Sequence, residues 1–210
     1  HTTTGVLRTA LAFDGVTDYI DCGSVVFNDA LTTQFAILGW LRIPETTTFS
    51  LAQYDRHVVA KYGPDGGFRL YFSKDTYRLR AEASWQGTTK TVECPAQVAD
   101  GDWHQFLLAR GGSGFQLCLD AAVIGKSYAT PFGSDFSSNN SLYIGRGLAD
   151  DGTKWYGDMD NIRLLSRAPN WREMAALWNN GAGTDDCMLE TWSPSPAFDG
   201  TWDACDDRIR

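Results

Sequence analysis

The chain of 210 residues is long enough for one large domain, and its 43% hydrophobic and 13% aromatic residues can form a substantial core. Its 26 acidic residues outnumber its 18 Lys and Arg residues, so the formal net charge is -8 at pH 7. This charge repels phosphate backbones and no basic stripe is present, so we expect no nucleic-acid partner. No apolar run approaches the roughly 20 residues needed to cross a bilayer, so we expect no membrane insertion. The first residue is His1 rather than Met, which suggests a processed protein or a piece of a larger one.

The first half of the chain predicts short strands that are separated by turns. Residues 11–22 contain two extended pieces on either side of the turn signal Asp14-Gly15. Residues 35–43 form an apolar run that is too short for a helix and suits a buried strand. Further strands are predicted at residues 57–61, 68–73 and 77–85. Frequent glycines and few helix-forming runs make the composition typical of an all-β domain.

Alternation in two of these strands predicts a sheet with one polar face. In residues 68–72 the period of two separates three apolar side chains from Arg69 and Tyr71. In the next strand it separates four apolar side chains from Arg80 and Glu82. We therefore expect these four polar or amphipathic residues on the outer face of one sheet.

The second half of the chain predicts more strands, one helix and an irregular tail. Strands are predicted at residues 103–110, 115–120, 142–145 and 159–165. One short helix is predicted from the near-helical spacing of Trp171, Met174, Ala175 and Trp178, and it ends at Asn180-Gly181. After Gly183 the chain is rich in Asp, Ser and Pro, which predicts a tail over residues 185–210 that packs on the same domain.

Six pieces of the sequence, taken in order, resemble the laminin-G-like, concanavalin A-like jelly-roll domains of lectins and glucanases. The matching pieces lie at residues 11–20, 35–40, 102–104, 142–145, 157–164 and 177–181. The resemblance covers most of residues 5–184 and implies an antiparallel β-sandwich, or jelly roll, over residues 1–184 with one short C-terminal helix. The chain departs from the family pattern at Gln105, where a His is frequent, and at Ala121, where a Gly usually ends a hairpin.

The same resemblance implies a structural calcium ion between an early turn and a late strand. Asp14 and Asp160 match the two positions, and Asp18 and Asp158 lie close enough in the sequence to assist. Calcium prefers six to eight oxygen ligands, which a turn beside a carboxylate-bearing strand can supply. In the alternative interpretation, Asp14 only organises its turn through backbone amides and Asp160 hydrogen-bonds a neighbouring loop.

The resemblance also implies carbohydrate recognition, in which aromatic rings stack on sugars while charged and amide groups bind the hydroxyls. The candidate ligand contacts are Arg69, Tyr71, Arg80, Glu82, Trp155 and Tyr156. For the charged members, the alternative is an ordinary solvated face. Glucanases of this fold place an acid and a nucleophile on one strand, but no Glu-x-Asp-x-x-Glu run is present, and we expect no catalytic residues.

The five cysteines, Cys22, Cys94, Cys118, Cys187 and Cys205, contain no Cys-x-x-Cys pair. In an oxidising compartment, a disulfide between Cys187 and Cys205 would close a loop in the tail. The alternative is that several of the cysteines are small buried hydrophobic residues, which the strand-like surroundings of Cys118 favour.

These observations favour a non-catalytic carbohydrate-binding or adhesion module of an extracellular, secreted or surface protein. Its partner would be a glycan or a glycosylated surface, with protein neighbours in a larger assembly. The alternatives are a structural, decoration or host-attachment protein on a virus or phage particle, and a polysaccharide-cleaving enzyme.

Overall fold

The structure is a computed structural model, which describes residues 1–7, 9–24, 34–45, 55–64, 66–85, 87–111, 114–127, 139–148 and 153–183. The strands of this part of the chain are β1 (Thr2–Thr4), β2 (Thr9–Asp14), β3 (Ile20–Asp21), β4 (Phe35–Arg42), β5 (Arg56–Gly63), β6 (Gly66–Phe72), β7 (Arg78–Trp85), β8 (Thr88–Gln97), β9 (Trp103–Gly111), β10 (Gly114–Leu119), β11 (Ala122–Ser127), β12 (Tyr143–Ile144) and β13 (Tyr156–Leu165). One helix, α1 (Trp171–Trp178), is followed by a 3-10 turn at Asn179–Gly181. The predicted tail at residues 185–210 lies outside the described residues, so its packing stays a prediction.

The strands form two antiparallel sheets. The seven-stranded sheet has the order β1-β2-β13-β4-β9-β10-β11, and the six-stranded sheet has the order β3-β12-β5-β6-β7-β8. Apolar side chains from both sheets meet in one continuous core that includes Phe35, Phe68, Phe72, Phe106 and Trp155. The prediction of an antiparallel β-sandwich with one short helix is therefore confirmed.

Helix α1 covers part of the outer face of the seven-stranded sheet. Asn170 caps the helix by accepting hydrogen bonds from the amides of Arg172 and Glu173, and the Glu173 side chain accepts from the Asn170 amide. Met174 and Leu177 pack with Leu38, Leu107 and other apolar residues of the sheet's outer face. No helix in the described ranges is long and apolar enough to span a bilayer.

Positive backbone torsions mark the hairpin that joins β10 to β11. Leu119 pairs with Ala122, so Asp120 and Ala121 form a two-residue turn, with φ angles of 50° and 60°. Such a turn matches the twist of its strands but normally takes Asn or Gly at both positions. The alanine that replaces the expected glycine is therefore strained.

Candidate functional site

Three of the four aspartates of the predicted calcium site lie on the paired strands β2 and β13, and Asp18 lies in the loop between β2 and β3. Tyr156 pairs with Asp14, while Asp158 and Asp160 lie two and four residues further along β13. At about 3.4 Å per residue, the backbone positions of Asp14 and Asp160 are separated by roughly 13 Å. A single ion cannot be bound by both carboxylates at that separation, since calcium–oxygen distances are about 2.3–2.6 Å.

Each aspartate also has a partner within the protein. Oδ1 of Asp14 accepts hydrogen bonds from the amides of Val16, Thr17 and Asp18, and Oδ2 accepts from the Thr17 hydroxyl. These bonds, with that from the Thr17 side chain the strongest, hold the pKa of Asp14 well below its usual range. Oδ2 of Asp18 accepts in turn from the Asp14 amide.

The two later aspartates are held in the same way. The guanidinium of Arg42 pairs with Asp158 at 2.6 Å, and Oδ2 of Asp160 accepts from the Leu7 amide at 3.1 Å. Within the described ranges, no three His, Cys, Asp or Glu side chains group closely enough to hold a metal ion. The four carboxylates thus do not fit one calcium site, and the alternative interpretation of Asp14 and Asp160 describes their contacts better.

The predicted polar face of the six-stranded sheet carries a connected network around Glu82. The Tyr71 hydroxyl donates to Oε1 of Glu82 at 2.6 Å, and Nε and Nη2 of Arg69 donate to Oε2 at 2.8 and 2.5 Å. Burial alone would raise the pKa of Glu82, but the hydrogen bonds from Tyr71 and Arg69 outweigh it and the pKa lies below its usual value. Glu82 is therefore ionised at neutral pH.

Arg80 lies between this network and a second carboxylate. Its Nε is 3.9 Å from Oε1 of Glu82 and 4.0 Å from Oε2 of Glu93, which are ion-pair distances rather than hydrogen bonds. The buried Nε has no hydrogen-bond partner in the described part of the chain, and the side chain is 35% exposed. Nε itself is therefore out of reach of an external acceptor, and only the exposed part of the Arg80 side chain can meet one.

The aromatic rings near this network differ in exposure. Tyr71 is only 2% exposed, because it packs against Arg69, whose guanidinium carbon is 4.7 Å from the ring centroid, and against the ring of His57 at 5.5 Å. Tyr62 lies on the other side of Arg69, at 4.9 Å, and is partly exposed. Tyr62 is therefore the ring that can meet a ligand, and Tyr71 is a support for Glu82.

The other two predicted aromatic contacts lie elsewhere. Trp155 is fully buried in the core, so its ring has no face for a sugar, and the interpretation of Trp155 as a ligand contact is corrected on this ground. Tyr156 lies at the start of β13 in the seven-stranded sheet, opposite Asp14. The structure thus joins Arg69, Tyr71, Arg80 and Glu82 and separates the remaining two candidates from them.

One row of paired residues crosses the whole six-stranded sheet on its outer face. The row runs from β3 to β8 through Asp21, Tyr143, Ala60, Arg69, Glu82 and Thr91. With neighbouring strands about 4.8 Å apart, its ends are roughly 24 Å apart. That length matches an extended ligand of several units rather than a single small molecule.

A second group of residues occupies the β3–β12 end of this row. The rings of Tyr19 and Tyr143 meet edge to face with centroids 6.1 Å apart, and the guanidinium carbon of Arg146 is 4.5 Å from both centroids. Sequence analysis missed this group, because Tyr19 and Arg146 are brought together only by the pairing of β3 with β12. The alternation of Tyr143 with the buried Ile144 was the available sequence signal that the Tyr143 side chain lies on the outer face of the sheet.

Comparison with known proteins gives the family of the chain. The family model described as the concanavalin A-like lectin/glucanases superfamily matches residues 14–175. The chain belongs to this superfamily. No curated protein sequence matches the chain.

Several solved structures align with the fold of this chain at low sequence identity. The binding domain of Paraclostridial Mosquitocidal Protein 1 aligns with a TM-score of 0.73 and 12% identity, over 86% of this chain and 45% of that one. Botulinum neurotoxin type C, whose cell entry depends on interaction with two ganglioside molecules, aligns at 0.58 and 9%, over 85% and 41%. The heptameric SAP-like pentraxin from Limulus polyphemus aligns at 0.50 and 11%, over 69% of each chain. The chain thus spans less than half the length of the two toxin chains.

The three cysteines in the described part of this superfamily member, Cys22, Cys94 and Cys118, form no disulfide there. Cys94 and Cys118 are buried, as predicted for Cys118, and Cys22 is partly buried. Burial, assisted by the charge of Asp21, raises the pKa of the Cys22 thiol to about 11. Cys187 and Cys205 lie outside the described residues, so their disulfide stays a prediction.

Proposed function

We propose that the chain is a non-catalytic carbohydrate-binding module, and that it binds glycans along the outer face of the six-stranded sheet. The observation that carries the proposal is Arg80, whose side chain is 35% exposed beside the ordered Glu82 network and which approaches described carboxylates only at 3.9 and 4.0 Å. Sugar hydroxyls are both donors and acceptors, so they can accept from the exposed part of Arg80 and donate to the neighbouring carboxylate of Glu93, which is 27% exposed.

The surrounding side chains support this proposal. Tyr62 provides a partly exposed ring on the same face, and aromatic rings stack on the apolar faces of sugars. Arg69 and Tyr71 hold Glu82 in one position, so little side-chain entropy is lost when a ligand binds to this network. The roughly 24 Å length of the cross-strand row fits an oligosaccharide.

The electrostatics favour binding over hydrolysis. A glycosidase needs one carboxylic acid that is protonated near neutral pH, and such acids have raised pKa values. The pKa of Glu82 is lowered instead, because Tyr71 and Arg69 stabilise the carboxylate more than burial destabilises it. The positive charge of Arg80, whose Nε lies 3.9 Å from Oε1 of Glu82, adds to the lowering of the Glu82 pKa.

The proposed setting is an extracellular or cell-surface protein in which this domain mediates adhesion. Both toxin chains that share the fold are longer than this chain, and one of them enters cells through gangliosides, which are glycolipids. An analogous arrangement here would place the sandwich beside further domains, with the polar sheet facing a glycosylated surface.

A glycan array tests the proposal. We expect labelled protein to bind a defined subset of glycans, and Tyr62→Ala and Arg80→Ala each to weaken that binding about tenfold. Arg172→Ala, an exposed change on α1, is the matched control and should bind like the wild type. Glycans from the bound subset should keep their length after prolonged incubation. A wild-type protein that binds no glycan, or that shortens them, contradicts the proposal.

A further inference from the structure

Arg146 differs from those arginines of the sandwich that form ion pairs. Arg42, Arg69, Arg78, Arg80 and Arg167 each lie within 4.0 Å of a carboxylate oxygen. Arg146 makes no ion pair in the part of the chain that the structure describes, and its hydrogen bonds go to the carbonyl oxygens of Gly147 and Leu148. No described carboxylate therefore neutralises the charge of Arg146, although the chain has 26 acidic residues against 18 Lys and Arg.

Much of the hydrogen-bonding capacity of Arg146 is unused. A guanidinium has five N–H donors. Nε donates to the Gly147 carbonyl at 3.1 Å and Nη2 donates to the Leu148 carbonyl at 3.3 Å. Within the described part of the chain, three donors, including both on Nη1, therefore have no protein partner, and a planar guanidinium presents such donors in the spacing of a carboxylate.

Two tyrosine rings hold this guanidinium in place. Its central carbon is 4.5 Å from the ring centroids of both Tyr19 and Tyr143, which is cation–π distance. The backbones are close as well, since a β-carbon built on Gly145 would lie 3.5 Å from the Cα of Tyr19. Nζ of Lys154 lies 5.9 Å from the Tyr19 centroid and adds a second positive charge beside the same ring.

Exposed apolar side chains occur in the chain segments that meet at Tyr19 and Arg146. Within the described ranges, the large hydrophobic residues that are clearly exposed are Val16, Tyr19 and Leu148, at 65%, 43% and 43%. All three lie in the two touching segments 16–19 and 145–148. An exposed cluster of this kind marks an interaction surface. We name Tyr19, Tyr143 and Arg146 the β12 patch.

The β12 patch is continuous with the proposed glycan surface. Tyr143 pairs with Ala60, which pairs with Arg69 on the neighbouring strand. Two strand spacings of about 4.8 Å, or roughly 10 Å in all, thus separate the backbones at Tyr143 and Arg69, and Ala60 between them is buried. One oligosaccharide of two or three units can span both places.

Building on the proposed function, we infer that the β12 patch binds a carboxylate-bearing sugar of the glycan. The sugar carboxylate would take a bidentate contact from the unused donors of Arg146, while an apolar face of the sugar stacks on the exposed ring of Tyr19. Asp21, paired with Tyr143 at the sheet edge, would repel a second carboxylate there, so the patch suits one acidic unit rather than a polyanion.

The test compares acidic glycans with neutral counterparts of the same length. The probes are 3′-sialyllactose and 6′-sialyllactose, each with one carboxylate, and each is compared with its neutral methyl ester. We expect the wild type to prefer at least one acidic probe by about tenfold or more, because hydrogen bonds to charged groups are strong. The preference should fall between 50 and 500 mM salt, while binding of the neutral probes should not.

Variants assign the preference to Arg146. Arg146→Gln should remove the preference for acidic probes without weakening the binding of the neutral probes. Arg146→Lys should keep part of that preference. Arg172→Gln is the matched control, and melting curves check that each variant is folded. Equal binding of acidic and neutral probes by the wild type, or an acidic preference that survives in folded Arg146→Gln, would overturn the inference and leave the proposed function standing. Failure of the wild type to bind any glycan would overturn both.

Discussion

The hydroxyl of Tyr71 donates a 2.6 Å hydrogen bond to the carboxylate of Glu82, although both side chains belong to the outer face of a sheet. Tyr71 is 2% and Glu82 8% exposed, so the pair is nearly as buried as the core. Desolvation and the Glu82 charge raise the pKa of Tyr71, so the phenol stays protonated and acts as a fixed donor. A buried, fully formed pair on a sheet face makes a rigid platform for the more exposed Tyr62 and Arg80.

The effect of replacing Glu82 on the free energy of unfolding tests whether this network stabilises the fold. Glu82→Gln should lower the free energy of unfolding at pH 7 by about 1–3 kcal/mol, because Arg69 and Tyr71 lose a charged acceptor. The folded-state pKa of Glu82 is lowered, so the ionised carboxylate stabilises the folded state. This stabilisation is fully present above the unfolded-state pKa near 4.3 and is lost as the pH falls through the folded-state pKa. Denaturant titrations at pH 7 and at pH 3 should therefore show a smaller difference from wild type at pH 3.

Glu93→Gln is the control for this prediction. Glu93 is 27% exposed, and its nearest guanidinium atom is Nη1 of Arg78 at 3.5 Å. Exposed pairs contribute about 1 kcal/mol or less. If Glu82→Gln costs no more than Glu93→Gln, the network around Glu82 does not stabilise the fold.

His104 should give the protein a pH-dependent stability near neutrality. The hydrogen bond to Asp120 at 2.8 Å, assisted by Asp100 at 3.1 Å, raises the pKa of His104 to about 8. A raised pKa stabilises the folded state fully below the unfolded value near 6.5, and this stabilisation is lost as the pH rises through 8. The difference in unfolding free energy between wild type and His104→Gln should therefore shrink by about 1–2 kcal/mol from pH 6 to pH 9. A pH-independent difference would contradict the assignment.

Ala121→Gly should stabilise the protein. Ala121 has a φ of 60° in the two-residue turn between β10 and β11, and a β-carbon disfavours that conformation. Glycine removes this cost but increases the entropy of the unfolded chain, so we expect a net gain of about 0.5–1 kcal/mol. Ala122→Gly, the adjacent change within β11, should instead destabilise. Thermal or chemical unfolding measures the stability of the two variants. A loss of stability in Ala121→Gly would contradict the interpretation that Ala121 is strained.

Calcium should have little effect on this domain. Asp14, Asp158 and Asp160 have partners within the protein and do not meet at one point. We therefore expect the melting temperature to differ by less than about 2 °C between millimolar calcium and chelator, since a ligand that binds only the folded state raises stability by mass action. Asp14→Asn should destabilise the turn equally in both conditions. A large calcium-dependent shift that Asp14→Asn removes would restore the calcium interpretation.

The inner strands of each sheet could be predicted from the sequence, whereas three of the four edge strands could not. Apolar runs such as Phe35–Arg42 and alternating runs such as Gly66–Phe72 give clear signals, because one or both faces are buried. The sequence predicted no strand at β1, β8 or β11, and each of these is an edge strand of its sheet. Edge strands tolerate polar residues and proline, as Pro95 in β8 illustrates, so the periodicity that identifies a strand is weak there.

The candidate site shows a similar division. Alternation correctly placed Arg69, Tyr71, Arg80 and Glu82 on one outer face, since the period of two is a local property of the chain. It could not show that Tyr71 is buried by its neighbours. The β12 patch joins residues more than 100 positions apart, and only the pairing of β3 with β12 brings them together.

Mapping of a bound glycan on the isotope-labelled protein by NMR would locate the binding surface. Titration with the glycan that binds most tightly in the array should shift the backbone amide signals of β5, β6, β7 and β12, with the largest changes near Tyr62, Arg69 and Arg80. The amides of α1 and of the seven-stranded sheet should not shift. Saturable binding whose shifts fall on the seven-stranded sheet or on α1 would contradict a glycan surface on the six-stranded sheet.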